Sequence, residues 1–263
     1  MLPETRPISF VFTQAQFDEF ARLSGDDNPI HVDPMFSGNT RFGRTVAHGM
    51  FLFSVMQGAV ARAVGGQVRL AAQDLMFRAP TFTGDALQLT LSEGADGAVQ
   101  QEITDSSQTI TASGTAKIGS IDSIVPKDAD LLPADSYKGL EVGMSATRVR
   151  LFTPDDVADY LGLVDDPNPL YRGPSPELPP SLLGGEVSWL LGVDLPGSGT
   201  NWLKQHFRFH RAVTVPAAVT TSVTITRLRP EQGLVNLSST CSVDGQVAVS
   251  GETLVLAVDV AHR

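Results

Sequence analysis

Two short stretches gather the groups of this chain that could do chemistry. Ser24-Gly25-Asp26-Asp27-Asn28-Pro29-Ile30-His31 puts a carboxylate, an amide and an imidazole on one turn. Val46-Ala47-His48-Gly49-Met50 opens a long apolar segment with a His-Gly pair. Asp26 and His31 supply a base and an acid whose ordinary pKa values lie on either side of, or near, neutrality. Such a pair suits the movement of protons next to a carbonyl. Asp26 alone could merely cap a turn, and His31 alone could be structural. Their conjunction with Asn28 and with His48-Gly49 points to chemistry. Asn28 fixes the turn in either case. His48 is expected to orient the helix start through hydrogen bonds, and Asp33 to cap the residues that follow.

The elements that must hold these groups can be read on either side of them. Ile8 to Phe12 alternates like a strand, and Thr13 is a good N-cap for a helix over Gln14 to Leu23, striped by Phe17, Phe20, Ala21 and Leu23. Gly25 ends that helix, and Pro29 forbids its continuation. Residues 32–45 read as an irregular overhang with one helical turn near Pro34–Ser37. An apolar helix then runs from about Ala47 to Val64 and stops at Gly65-Gly66. The period next changes to two, giving strands at Val68–Leu70, Asp74–Arg78, Leu87–Glu93, Gln100–Asp105 and Thr109–Ile118.

The order then repeats. Pro126, Asp128, Asp130, Pro133, Asp135 and Gly139 mark a linker. Ala146–Thr153 reads as a strand, and Thr153-Pro154-Asp155-Asp156 starts a helix. Asp165-Asp166-Pro167-Asn168-Pro169-Leu170-Tyr171 is a second version of the turn, and Pro179-Pro180-Ser181 leads into a second apolar segment ending at Gly192. Strands follow at Trp202–Arg211, Val219–Leu228, Gly233–Val243 and Gln246–Val258. The expected organisation is α+β: one unit over residues 1–120, a linker over 121–145 and a second unit over 146–263, packed as a pseudo-dimer whose sheets join.

Composition narrows the class. The chain has 263 residues, 42% of them hydrophobic, and a formal net charge of −10. A core is available, and a general nucleic-acid or anionic-membrane surface is excluded. The lone Cys241 rules out an intrachain disulfide and a cysteine-cluster metal site. The segment Ala47 to Gly65 contains His48, Gln57 and Arg62 and is short for a bilayer, so a buried helix is expected there. The N-terminus carries no basic-then-apolar signal pattern, and a reducing, cytoplasmic compartment is expected.

The motifs of the first half, together with Phe77-Arg78-Ala79-Pro80 and Gly84-Asp85, resemble the MaoC-like R-specific enoyl-CoA hydratases. The resemblance implies a double hot-dog fold, in which each half wraps a long helix in an antiparallel sheet. It implies reversible hydration of trans-2-enoyl-CoA to (3R)-3-hydroxyacyl-CoA. Asp26 and His31 would hold and polarise the water, Asn28 would support them, and the Gly49 N–H would form an oxyanion hole. A helix N-terminus offers free N–H groups, and glycine allows close approach. Asp26 is favoured as base and His31 as acid in hydration, with the opposite assignment left open. His48, Met50, Phe51, Phe53, Met56, Gln57 and Arg78 are candidate substrate contacts. Arg41, Arg44, Arg69, Arg208 and Arg211 are further candidates for the anionic end of CoA.

The second copy keeps Asp166 and Asn168 but has Tyr171 in place of the imidazole and Pro180-Ser181 in place of His48-Gly49. It is expected to be inert and to hold substrate. His206 and His210 alternate as on a strand, which disfavours a metal pair, so no metal and no cofactor beyond the CoA of the substrate is expected. Leu195 to Thr200 is read as a loop. The competing functions are a 3-hydroxyacyl-ACP dehydratase, a hot-dog acyl-CoA thioesterase and a non-catalytic acyl-thioester binder. A thioesterase would want a carboxylate on the central helix, and Ala47–Val64 has none. The expected partner is an acyl-CoA or an acyl-ACP, with no nucleic acid and no membrane, and the chain is either a monomeric pseudo-dimer or a homodimer.

Overall fold

The computed structural model describes residues 6–119 and 129–261. Ten strands form one antiparallel sheet in the order β1-β3-β4-β5-β2-β7-β10-β9-β8-β6. In the first half these are β1 (Ile8–Phe10), β2 (Leu70–Phe77), β3 (Leu87–Glu93), β4 (Val99–Asp105) and β5 (Ile110–Ile118). In the second half they are β6 (Ser145–Phe152), β7 (Asn201–Phe209), β8 (Ala217–Arg229), β9 (Leu234–Val243) and β10 (Gln246–Leu256). Adding five to each strand number of the first half turns its order into that of the second, read from the opposite edge. The halves meet where β2 pairs with β7, with Gln73 opposite Phe207 and Leu75 opposite Gln205. The expected joining of two sheets is therefore a single continuous ladder.

The helices lie against this sheet. They are α1 (Gln14–Ser24), α2 (Pro29–Val32), α3 (Pro34–Gly38), α4 (Gly49–Val64), α5 (Pro154–Leu163) and α6 (Pro180–Trp189). Thr13 and Gln16 close a reciprocal capping box on α1, and Thr153 and Asp156 do the same on α5. Phe17 and Phe20 of α1 are fully buried with Phe51 of α4, the rings of Phe20 and Phe51 stacking at 5.0 Å between centroids. Burying each such ring contributes about 1.5–3 kcal/mol, so this contact fixes α1 on α4 and with it the turn between them.

Four details differ from the sequence reading. The two short strands expected at 68–70 and 74–78 are one strand, β2, because a bulge between Leu70 and Ala72 resets the alternation. Pro29 begins a short helix as its N1 residue, capped by Asn28. The helical turn expected in the overhang is present as α3 and runs one residue further, to Gly38, with Asp33 as its expected cap, Asp33 Oδ1 accepting from Met35 N at 2.8 Å. The second apolar segment is α6 followed by a π-helical turn at Leu190–Asp194. The expected linker at 121–145 falls partly outside the described residues, and β6 begins at Ser145.

Candidate active site

Gly25 ends α1 in the left-handed region, with φ of 74°, and so turns the chain under the helix. A Cβ there would also lie 2.6 Å from the Arg148 guanidinium, which would have to move aside. Ser24 Oγ accepts from Asp26 N at 3.2 Å, which holds the next residue inward. Asp26 is only 2% exposed. Asn28 Oδ1 accepts from Ile30 N at 3.3 Å, starting the turn of helix that carries His31.

Hydrogen bonds fix the orientation of His31. Its Nδ1 lies 2.6 Å from the Val46 carbonyl, which can only accept. Nδ1 therefore carries a hydrogen, and Nε2 is the nitrogen left to exchange a proton. Val46 N in turn donates to Ile30 O at 3.1 Å, so the overhang closes on itself at its two ends. Gln14 clamps the closure from α1. Its Nε2 donates to His31 O at 2.9 Å and its Oε1 accepts from Thr45 at 2.7 Å.

His48 is the N-cap residue of α4, and its side chain bonds the turn before the helix rather than the helix itself. Its Nε2–H donates to the backbone carbonyl of Asp26 at 2.8 Å, and its ring stacks on His31 with centroids 3.8 Å apart. Burial, and secondarily the neighbouring His31, hold its pKa well below the ordinary histidine range. His48 thus stays neutral and braces the pair. Gly49 is the first residue of α4, where N–H groups have no partner within the helix. Any side chain at Gly49 would meet the Phe77 ring at 2.6 Å.

These groups open onto a cavity of about 250 Å³. Asp26, Asn28, His31, Gly49 and Arg78 all line it. Its apolar wall includes Ile30, Leu52 and Phe77 from the first half and Leu191, Trp202 and Leu256 from the second. Asp26 Oδ1 and Thr81 Oγ1 are buried without a hydrogen-bond partner among the described residues. Of the arginine candidates, Arg41 and Arg78 reach this cavity. Arg44 pairs with Asp85 and Arg69 with Glu177, Arg208 donates to His206, and Arg211 donates to Gln246.

Several expected substrate contacts lie elsewhere. Met50 is fully buried, and its sulfur fills the space over Gly184 of α6. Phe53 is fully buried and stacks on Phe207 at 6.3 Å. Phe51 and Met56 are core residues as well. Gln57 crosses to the second half, where Nε2 donates to Asp166 Oδ2 at 3.0 Å and Oε1 accepts from Ser181 N at 3.2 Å. The cause is common to all: α4 is wrapped by sheet and helices on nearly every side, so most of its side chains pack into protein.

In the other direction, Ser188 of α6 crosses to the first half and donates to Asp26 Oδ2 at 2.5 Å. Gly192 packs against Asn28, where a Cβ would lie 3.1 Å from Nδ2. Sequence reading missed both, since a lone serine in an apolar run carries no signal. It also missed Glu186 on α6, the carboxylate of the second central helix. Glu186 lies between Arg150, at 3.0 Å, and Arg148, at 3.4 Å, and does not line the cavity. Burial raises its pKa against the pull of the two arginines.

Asp26, His31 and His48 offer the one group of three metal-ligating atoms within 4.8 Å among the described residues. Backbone carbonyls already engage Nδ1 of His31 and Nε2 of His48, which leaves one nitrogen on each stacked ring. His206 bonds Asp74 at 2.6 Å and His210 bonds Ser250 at 2.8 Å, so the two histidines engage different partners on the sheet.

Residues 3–114 match the MaoC-like domain. The (R)-specific enoyl-CoA hydratase of Rhodospirillum rubrum is 30% identical over 137 residues, 49% of this chain and 95% of that protein. The 3-hydroxybutyryl-CoA dehydratase of Methylorubrum extorquens is 30% identical over 128 residues, 45% of this chain and 82% of that protein. Over the whole chain the fold is that of a solved MaoC-like dehydratase, with a TM-score of 0.73, 15% identity and coverage of 95% of this chain and 96% of that one. A Mycobacterium tuberculosis protein with a double hot-dog fold superposes with a TM-score of 0.68 at 12% identity, covering 96% of each chain.

Proposed function

The chain belongs to the MaoC-like family of hydro-lyases, and from that premise we propose that it adds water reversibly to trans-2-enoyl-CoA, giving the (3R)-3-hydroxyacyl-CoA. The observation that carries this reading is the convergence of Asp26, His31 and the α4 N-terminus on one cavity. Hydration needs a base for the water, an acid for the α-carbon and a donor for the charge that develops on the thioester oxygen. Asp26 Oδ1 has no hydrogen-bond partner among the described residues and takes the proton of the water as the water oxygen bonds to the β-carbon. His31, protonated at Nε2, delivers a proton to the α-carbon. The Gly49 N–H receives the thioester oxygen, strongest when that oxygen bears enolate charge. The proton gained by Asp26 then passes to His31, through water, which restores the starting state, and dehydration reverses these steps.

CoA is favoured over an acyl carrier protein as the carrier. The chain is acidic overall, which repels an acidic carrier, while Arg78 is exposed on the cavity wall without a carboxylate partner among the described residues. The thioesterase reading loses support, because the carboxylate of the second central helix is enclosed by two arginines. Mixing the protein with crotonyl-CoA while following both enoyl absorbance and free thiol tests the proposal. Loss of absorbance with no thiol is expected. Thiol release ahead of absorbance loss would replace hydration by thioester hydrolysis.

A further inference from the structure

Among the side chains that cross between the halves, one from each central helix occupies a matching position. Counting from the N-cap residues His48 and Pro179, the ninth position is Gln57 on α4 and Ser188 on α6. Gln57 Nε2 donates to Oδ2 of Asp166, the turn aspartate of the second half, at 3.0 Å. Ser188 Oγ donates to Oδ2 of Asp26, the turn aspartate of the first half, at 2.5 Å. The geometry is the same and the chemistry differs. The longer amide also reaches Ser181 and Tyr160, the latter at 3.3 Å, and the space around Asp166 is filled. The short hydroxyl occupies one oxygen of Asp26, a residue that lines the cavity, and leaves Oδ1 without a hydrogen-bond partner among the described residues.

We propose that Ser188 is a positioning residue of the active site, supplied by the otherwise inert half, and that this crossing position decides which of the two turns keeps a usable carboxylate. The inference rests on the hydratase reading and extends it. By holding Oδ2, Ser188 fixes the carboxylate plane so that Oδ1 alone meets the water. It also stabilises the buried carboxylate by a charge-assisted hydrogen bond. The catalytic machinery of the first half is therefore incomplete without α6.

A double-variant cycle tests this through kcat for crotonyl-CoA hydration. S188A is expected to lower kcat by about tenfold or more, the scale of losing a hydrogen bond to a charged group, with KM changed much less. In a D26N background the same substitution is expected to change residual kcat less than about twofold, since Ser188 acts through Asp26. A loss of equal size in both backgrounds, or an S188A enzyme within twofold of the parent, would overturn the proposal while leaving the hydratase reading intact. Full activity in D26N would remove both. S188Q gives a second readout, because glutamine already fits the matching position of α4. It is expected to keep the parent melting temperature and lose turnover by filling the space at Asp26. Turnover retained in S188Q would contradict the claim that this position selects the working turn.

Discussion

At the scale of single residues, proton transfer in the proposed reaction falls to two side chains and support to a third. D26N and H31A are each expected to lower kcat for hydration by about 10²-fold or more, the usual cost of a positioned acid or base, with circular dichroism unchanged. Near-parent turnover in either would remove that residue from the reaction. His48 makes a different prediction, because burial keeps it neutral in the folded protein. The unfolded chain takes up a proton as pH falls below about 6.5, the folded protein does not, and stability drops with a slope of at most about 1.4 kcal/mol per pH unit. H48Q keeps a donor toward the Asp26 carbonyl without titrating. Its melting temperature should therefore fall less between pH 7.5 and 5.5 than the parent's; equal falls would mean His48 is protonated in the fold. The raised pKa values of Asp166 and Glu186 push stability the other way, but they are common to both proteins and cancel in the comparison.

At the scale of elements, the placement of the site depends on where α1 stops and α4 starts. The stop of α1 was legible in the sequence from the turn residues Gly25 and Asn28, and the start of α4 was read to within two residues, at about Ala47 rather than Gly49. What was not legible was which side of α4 meets the cavity. The helix is apolar on nearly every side, so Met50, Phe53 and Gln57 could not be told from true wall residues such as Leu52 by pattern alone. The start of α4 is packed tightly enough to test. G49A forces a Cβ into the Phe77 ring and should cost about 1–3 kcal/mol of stability, read by denaturant unfolding. F77L added to G49A removes the obstacle and should restore much of that loss. If G49A alone is as stable as the parent, the close approach of helix and ring is wrong.

At the scale of the whole molecule, the duplication could be read from the repeated turn, but the exchange of Gln57 and Ser188 could not. Each of those contacts joins residues more than 100 positions apart, and neither residue type stands out in its apolar surroundings. The proposed asymmetry of the halves rests on that exchange together with Tyr171, which is buried and whose pKa burial drives well above the phenol range. Restoring the imidazole by Y171H in a D26N background should therefore return no hydratase activity, since Asp166 stays bonded to Gln57 in a filled space. Activity regained there would mean that the second turn is merely one residue short of working. The central claim is that one turn presents one water to one face of the bound enoyl thioester. Its most direct measurement incubates the full chain with crotonyl-CoA and assays the product with dehydrogenases specific for each 3-hydroxy enantiomer. The account predicts (3R)-3-hydroxybutyryl-CoA from the parent and its loss in D26N and H31A. Predominant (3S) product, or a mixture of the two, would contradict it.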